Sequence, residues 1–202
     1  MIDAWSIPGL LLPLVFMMMG PIGLIPAFVG ATAGRESAAK RRIAGRAAWF
    51  AAIAVVLAVG LGAGILNAWG ASPGSLVIAA GALLGLSALK NLLFRDGPKA
   101  PPAPAADPAL SPLAIPTIVS PYGVGVLIVF VAYLPGGVAK LAIAGVALFI
   151  IALDWLAMRH ADRLMGWIGP VALTLLGAVF GVLQLALGIE MVISGISRAV
   201  GS

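Results

Sequence analysis

The sequence predicts an all-α integral membrane protein with six transmembrane helices in a 3+3 inverted repeat, with helices 1 and 4 discontinuous. Three observations support this fold class. First, 62% of the 202 residues are hydrophobic, only 9% are charged, and the mean hydropathy is +1.14, whereas a soluble domain has roughly 25% charged residues. Second, the apolar runs are long and lack the alternating pattern of barrel strands. Third, two of these runs are interrupted at matching positions.

The two interruptions, called break 1 and break 2, are the candidate functional site. Proline removes a backbone donor and clashes with the preceding helical turn. Backbone groups freed within a bilayer must face protein or a polar cavity. A kink that only shapes packing is the alternative, but two breaks at matched positions favour a binding site. Break 1 is Gly20, Pro21, Ile22 and Gly23, and break 2 is Ser120, Pro121, Tyr122 and Gly123.

The predicted helices are separated by turn, basic and proline-rich segments. A connection with five basic residues follows helix 1, and a charged loop at 159–163 precedes helix 6. The Pro/Ala-rich linker 97–109 divides the chain into repeats at 1–96 and 110–202. The six helices are expected at about residues 5–29, 47–69, 75–94, 110–134, 138–158 and 168–196.

Internal similarity at a constant offset supports a duplication. Pro21 and Pro121 lie 100 positions apart (121 − 21). With three spans in each half, the second half enters the membrane from the opposite face, which makes the repeat inverted. Further matches at this offset are Pro8/Pro108, Leu10/Leu110, Gly23/Gly123, Gly45/Gly145 and Gly81/Gly181.

The basic residues predict the orientation. Of the 12 Lys and Arg residues, all but Lys140 and Arg198 are expected on one side. Cytoplasmic loops of membrane proteins are enriched in Lys and Arg, so we expect both termini outside the cytoplasm. The same rule accounts for the net charge of +5, and no nucleic-acid partner is expected.

Three polar residues within predicted spans are candidates for proton or polar coupling. They are Glu190, Asp154 and Gln184. Acids inside a bilayer are costly and often functional. Glu190 lies well inside helix 6 and is the preferred candidate, with a buried polar pair as the alternative. Asp154 lies about one turn before the end of helix 5, where its side chain can reach the interface.

Paired glycines predict close helix packing. Each pair places two glycines on one helix face, so that a neighbouring backbone can approach. The pairs are Gly60/Gly64, Gly81/Gly85 and Gly177/Gly181.

The sequence contains no constellation typical of an enzyme or a metal site. It has no cysteine, and its one histidine, His160, lies in a charged loop. We therefore expect no catalytic residues, no metal and no cofactor. The expected partners are a small solute and the lipid bilayer, and homo-oligomerisation stays open.

Three segments resemble the MarC family. Residues 20–28 resemble its N-P-x-G-N-x-P-x-F motif. Residues 112–116, P-L-A-I-P, followed by 120–122, resemble its P-L-A-I-P and G-P-G motifs, and residues 188–196 resemble its closing A-V-Q-M-I-L-D-G-I. The chain departs from the usual family residues at Gly20, Leu24, Ser120, Tyr122, Glu190 and Ser194.

The resemblance implies a six-helix protein of the bacterial inner membrane, within the lysine-exporter superfamily. It also implies a secondary transporter of a small solute, with neutral amino acids such as glycine or alanine favoured. The broken helices would hold the carboxylate, and alternating access would move it. Export of another small metabolite or ion is an alternative, and a non-transporting membrane scaffold is an alternative of another class.

Overall fold

The computed structural model describes residues 6–68, 70, 72–93, 108–134 and 136–200. Within these residues every regular element is helical, which confirms the all-α class. Most of the predicted linker, from 97 to 107, lies outside the described residues. The elements are α1 (Ser6–Met19), α2 (Pro21–Ala31), α3 (Ser37–Ala68), α4 (Pro73–Leu93), a π-helix (Ala109–Ile118), α5 (Pro121–Tyr133), α6 (Gly137–Arg159) and α7 (Ala161–Val200).

Several of these helices are suited to a bilayer. Three segments are long and apolar enough to cross one, namely Ser37–Leu66, Gly137–Arg159 and Leu175–Ser197. Three shorter apolar helices occupy the other predicted spans, at Val15–Ala31, Gly74–Lys90 and Gly123–Ala132. The chain is thus an integral membrane protein with several helices able to span, while the count of six and the 3+3 repeat stay predictions.

Both predicted interruptions are present. Gly20 (φ −79°, ψ 173°) separates α1 from α2, and Ser120 (φ −74°, ψ 148°) precedes α5. In each case a proline occupies the first turn of the following helix, where an N–H has no carbonyl partner within that helix. A helix therefore restarts immediately after each break.

The segment before break 2 is more irregular than the regular helix that we predicted. Ser111 (φ −135°, ψ 128°) and Ile115 (φ −130°, ψ 124°) are extended inside the π-helix. Each precedes a proline, whose ring disfavours helical angles in the residue before it. Helix α7 is kinked at Gly169 (φ 77°, ψ 155°), which also precedes a proline and has a positive φ that glycine adopts readily.

Two predicted boundaries are wrong. Helix α3 begins at Ser37 rather than at residue 47, so the basic residues Lys40, Arg41 and Arg42 lie on its first turns. The first eight residues of α3 contain neither glycine nor proline, and Ala, Lys and Arg are strong helix formers. The predicted loop at 159–163 is reduced to His160, because α7 begins at Ala161.

Among the described residues, helices α4 and α7 make the most extensive contact between two helices. They run antiparallel, since Gly188 meets Gly81 and Gly85, while Gly195 meets Gly74 nearer the start of α4. A Cβ added at Gly188 would lie 2.7 Å from the Gly85 nitrogen and 2.8 Å from the Gly81 oxygen. The predicted packing role of Gly81 and Gly85 is confirmed.

The packing prediction is wrong for three other glycines. Gly60, Gly64 and Gly177 have open space where a side chain would be. Gly62 is the packing glycine of α3, because an added Cβ would lie 2.6 Å from Ile128 of α5. Gly181 does pack, against Leu92 at 3.0 Å. The i, i+4 spacing identifies a shared helix face but does not show whether that face meets a neighbour.

Candidate functional site

The structure brings the two breaks together. Met19 is the last residue of α1, and Gly123 lies in the first turn of α5. A Cβ added at Gly123 would lie 3.4 Å from Met19 Cγ and 3.7 Å from its sulfur. Met19 is 2% exposed, and Gly123 is also buried. The end of the first broken helix therefore packs directly against the start of the second.

At break 1, a side chain of α7 supplies a hydrogen bond that the interrupted backbone lacks. In a continuous helix the Met17 carbonyl would accept a hydrogen bond from the N–H of residue 21, but Pro21 has none. The Gln184 amide Nε2 donates to this carbonyl instead. Gln184 is 8% exposed. The predicted polar candidate Gln184 thus has a defined role, since it stabilises a broken helix inside an apolar core.

The start of α2 has no side-chain cap. Its N-cap, Gly20, makes no side-chain hydrogen bond and instead donates its own N–H to the Phe16 carbonyl at 2.8 Å. A Cβ at Gly20 would lie 2.1 Å from that oxygen, so only glycine fits. Ile22 is half-buried, while Gly23 is exposed, and no atom of the described residues lies within 4 Å of an added Cβ there. This helix end presents first-turn N–H groups beside open space.

Break 2 is capped from within. Ser120 Oγ accepts a hydrogen bond from the Gly123 N–H at 3.1 Å, and the Ser120 carbonyl accepts one from Val124 at 3.0 Å. Ser120 is 2% exposed, whereas Pro121 is exposed. The side chain of Tyr122 lies outside the described residues. The two breaks therefore differ. At break 2 the Gly123 N–H, which we expected to face a solute, already donates to Ser120 Oγ.

The two acidic candidates occupy opposite environments. Asp154 is 0% exposed, and neither carboxylate oxygen has a hydrogen-bond partner among the described residues. Its side chain is enclosed by protein, and the expectation that it reaches the membrane interface stays a prediction. Glu190, the preferred candidate, is exposed on α7. The buried carboxyl is therefore on α6, which packs against both α1 and α2 of the broken helix.

Sequence reasoning missed the capping role of one predicted site residue, Ser120, and the contribution of Met19. The capping role of Ser120 had a signal, because a serine directly before a proline at a helix start is a typical N-cap. The contact of Met19 with Gly123 had none, since Met19 is one of many apolar residues in α1. Its importance comes only from the tertiary arrangement.

Comparison with known proteins supports the family resemblance over nearly the whole chain. Residues 7–200 match the family described as MarC family integral membrane protein. No solved structure matches the chain.

Related bacterial membrane proteins align over most of their lengths. The UPF0056 membrane protein YhcE of Escherichia coli is 28% identical over 195 residues, covering 90% of this chain and 88% of YhcE. A UPF0056 membrane protein of Buchnera aphidicola is 29% identical over 185 residues, with 89% and 86% covered. The UPF0056 inner membrane protein MarC of Citrobacter koseri is 22% identical over 213 residues, with 97% and 96% covered. With the family match, these alignments show that the chain belongs to the MarC family of integral membrane proteins.

Proposed function

We propose that this protein is a secondary transporter of a small carboxylate-bearing solute, most favourably a neutral amino acid such as glycine or alanine. The observation that carries the proposal is the uncapped start of α2 at break 1, held against break 2 by Met19. A membrane scaffold needs no interrupted backbone in its apolar core. Paired discontinuous helices are typical of transporter binding sites.

The carboxylate would bind at the first turn of α2. The N–H groups of Ile22 and Gly23 lack a capping side chain there. Helix N-termini favour anions through these groups and the helix dipole, by about 0.3–1 kcal/mol and up to ~2 kcal/mol when partly buried. The open space at Gly23 provides room for the solute. Movement of one three-helix repeat against the other would then expose the site to each side in turn.

The first test measures uptake of radiolabelled glycine and alanine into proteoliposomes. We expect Gly23→Val to lower uptake at subsaturating solute by roughly tenfold, equivalent to about 1.4 kcal/mol of binding, because the branched side chain fills the open space. Gly30→Val is the matched control. Gly30 also lies on α2, is exposed, and has nothing within 4 Å of an added Cβ.

The control separates blocking of the site from any general effect of valine on α2. Uptake near the parent level for Gly30→Val, with loss for Gly23→Val, supports the proposed site. Normal uptake by Gly23→Val would place the site elsewhere. No uptake or exchange of any neutral amino acid by the parent protein would contradict the proposed solute class.

We propose Asp154 as the group that couples transport to protons. A charged carboxylate inside a span costs about 2.5–3.5 kcal/mol on insertion scales, and no hydrogen-bond partner within the described part of the chain offsets the cost at Asp154. Gain and loss of a proton at Asp154 would therefore favour different conformations of α6 and the helices packed on it.

This coupling role predicts different pH profiles for two conservative variants. Asp154→Asn should flatten the pH dependence of amino-acid uptake while keeping solute exchange, because the amide cannot release a proton at these pH values. Glu190→Gln should keep the parent profile, since Glu190 is exposed. Uptake is measured across a pH series for the parent and the two variants, and the three profiles show which acid couples transport to protons. A flattened profile in Glu190→Gln alone would transfer the role to Glu190.

A further inference from the structure

A groove of ≈ 310 Å³ lies between α3 and α6, away from the two breaks. On the α3 side it is lined by Gly45, Ala48 and Ala52, whose small size leaves room between the two helices. Trp49 and Trp155 stand at its walls and are 66% and 36% exposed. The groove therefore opens outward from the bundle, between two segments long and apolar enough to span a membrane.

Two arginines extend the helix faces that line this groove. Arg41 lies four residues before Gly45 and seven before Ala48, so it shares their face of α3. Arg159 lies four residues after Trp155 and seven after Ala152, another lining residue of α6. Both arginines are exposed, and Arg159 Cζ lies 5.3 Å from the centroid of the Trp155 ring.

The two arginines lie at the same end of the groove. The start of α3 and the end of α6 are held together where Lys40 Nζ donates to Asp162 Oδ2 at 2.8 Å and to Oδ1 at 3.0 Å. Asp162, the first acidic residue after α6, is therefore already paired. Neither arginine has an ion-pair partner among the described residues, so the positive charge of both is available to attract an anion.

We propose that this groove binds an anionic phospholipid. Its phosphate would lie between Arg41 and Arg159, and an acyl chain would fill the apolar groove along Ala48 and Ala52. Arginine matches phosphate oxygens with paired N–H donors, and tryptophan is favoured at the depth of the headgroups. Basic pockets between transmembrane helices on the cytoplasmic side are suited to anionic headgroups. A soluble anion would use the arginines but would leave the apolar groove unfilled.

The proposal is independent of the transported solute, and its test uses lipids alone. The purified full-length protein is titrated with dioleoyl phosphatidylglycerol or dioleoyl phosphatidylcholine, and bound lipid is counted by native mass spectrometry. We expect the parent to retain phosphatidylglycerol in preference. Arg41→Gln and Arg159→Gln should each weaken phosphatidylglycerol binding by roughly fivefold and leave phosphatidylcholine binding unchanged. Added salt should weaken phosphatidylglycerol binding to the parent.

Two further variants make the assignment specific to the groove. Arg163→Gln is the charge-matched control, because Arg163 is exposed near the same end but lies on α7, which contributes no residue to the groove lining; it should bind lipid like the parent. Ala48→Trp should reduce binding of both lipids by filling the groove. Equal retention of both lipids by the parent would overturn the proposal. An unchanged preference for phosphatidylglycerol in the Arg41→Gln, Arg159→Gln double variant would also overturn it. So would a loss of phosphatidylglycerol binding in Arg163→Gln equal to the losses in Arg41→Gln and Arg159→Gln.

Discussion

Gly188→Ala is expected to destabilise the protein by roughly 1–3 kcal/mol, although it adds a single methyl group. That methyl would lie 2.7 Å from the Gly85 nitrogen, 2.8 Å from the Gly81 oxygen and 2.9 Å from the Gly85 Cα. All three are backbone atoms of α4, which cannot turn aside as a side chain can. Helices α4 and α7 would have to separate along their length, so the monodisperse yield and the thermal unfolding temperature should both fall.

Gly177→Ala is the matched control for this prediction. Gly177 lies on the same helix, is exposed, and has open space where the methyl would be. Alanine is about 1 kcal/mol better than glycine in a helix interior, so the control should be neutral or slightly stabilised. Equal unfolding temperatures for the two variants in one detergent would show that α4 and α7 do not approach this closely.

Gln184→Leu should have the second large effect, with a loss of about 1–3 kcal/mol of stability. The change keeps a similar size but removes the amide that donates to the Met17 carbonyl. That carbonyl cannot recover its usual partner, because residue 21 is a proline. It would be left as an unsatisfied polar group within the apolar core. Thermal unfolding of the purified variant measures the loss.

A double variant tests the cause of that loss. In Gln184→Leu, Pro21→Ala, residue 21 regains an N–H that can pair with Met17 if α1 continues into α2. Stability should return towards the parent level, while glycine uptake should stay low because break 1 is closed. Equal instability of the single and double variants would show that Gln184 stabilises the fold by some other contact. The coupling between the two positions is read from the full mutant cycle.

The sequence was sufficient for those features that depend on local backbone chemistry. Both breaks lie where predicted, because proline removes an N–H wherever it stands. The extended residues Ser111 and Ile115 had an equally local signal in the prolines that follow them, yet we predicted a regular helix there. The all-α class follows from long apolar runs, which need no tertiary information.

The burial of individual side chains was much harder to predict. A soluble helix shows its buried face through the contrast between apolar and polar sides, but these helices are apolar on all sides. Gly60 and Gly62 therefore look equivalent in the sequence, and only the structure shows that Gly62 packs. The same limit applies to the acids, because the sequence favours Glu190 while Asp154 is the acid that the structure buries.

The unequal capping of the two breaks has a consequence for how a zwitterion can bind. Two equivalent helix ends facing each other would allow an amino acid to lie in either of two opposite directions. Because Ser120 engages the Gly123 N–H in α5 and Gly20 leaves α2 uncapped, the positive pole on the α2 side is the stronger. Under the proposed function, an amino acid bound between the breaks would thus be held with a fixed polarity, carboxylate towards α2 and ammonium away from it.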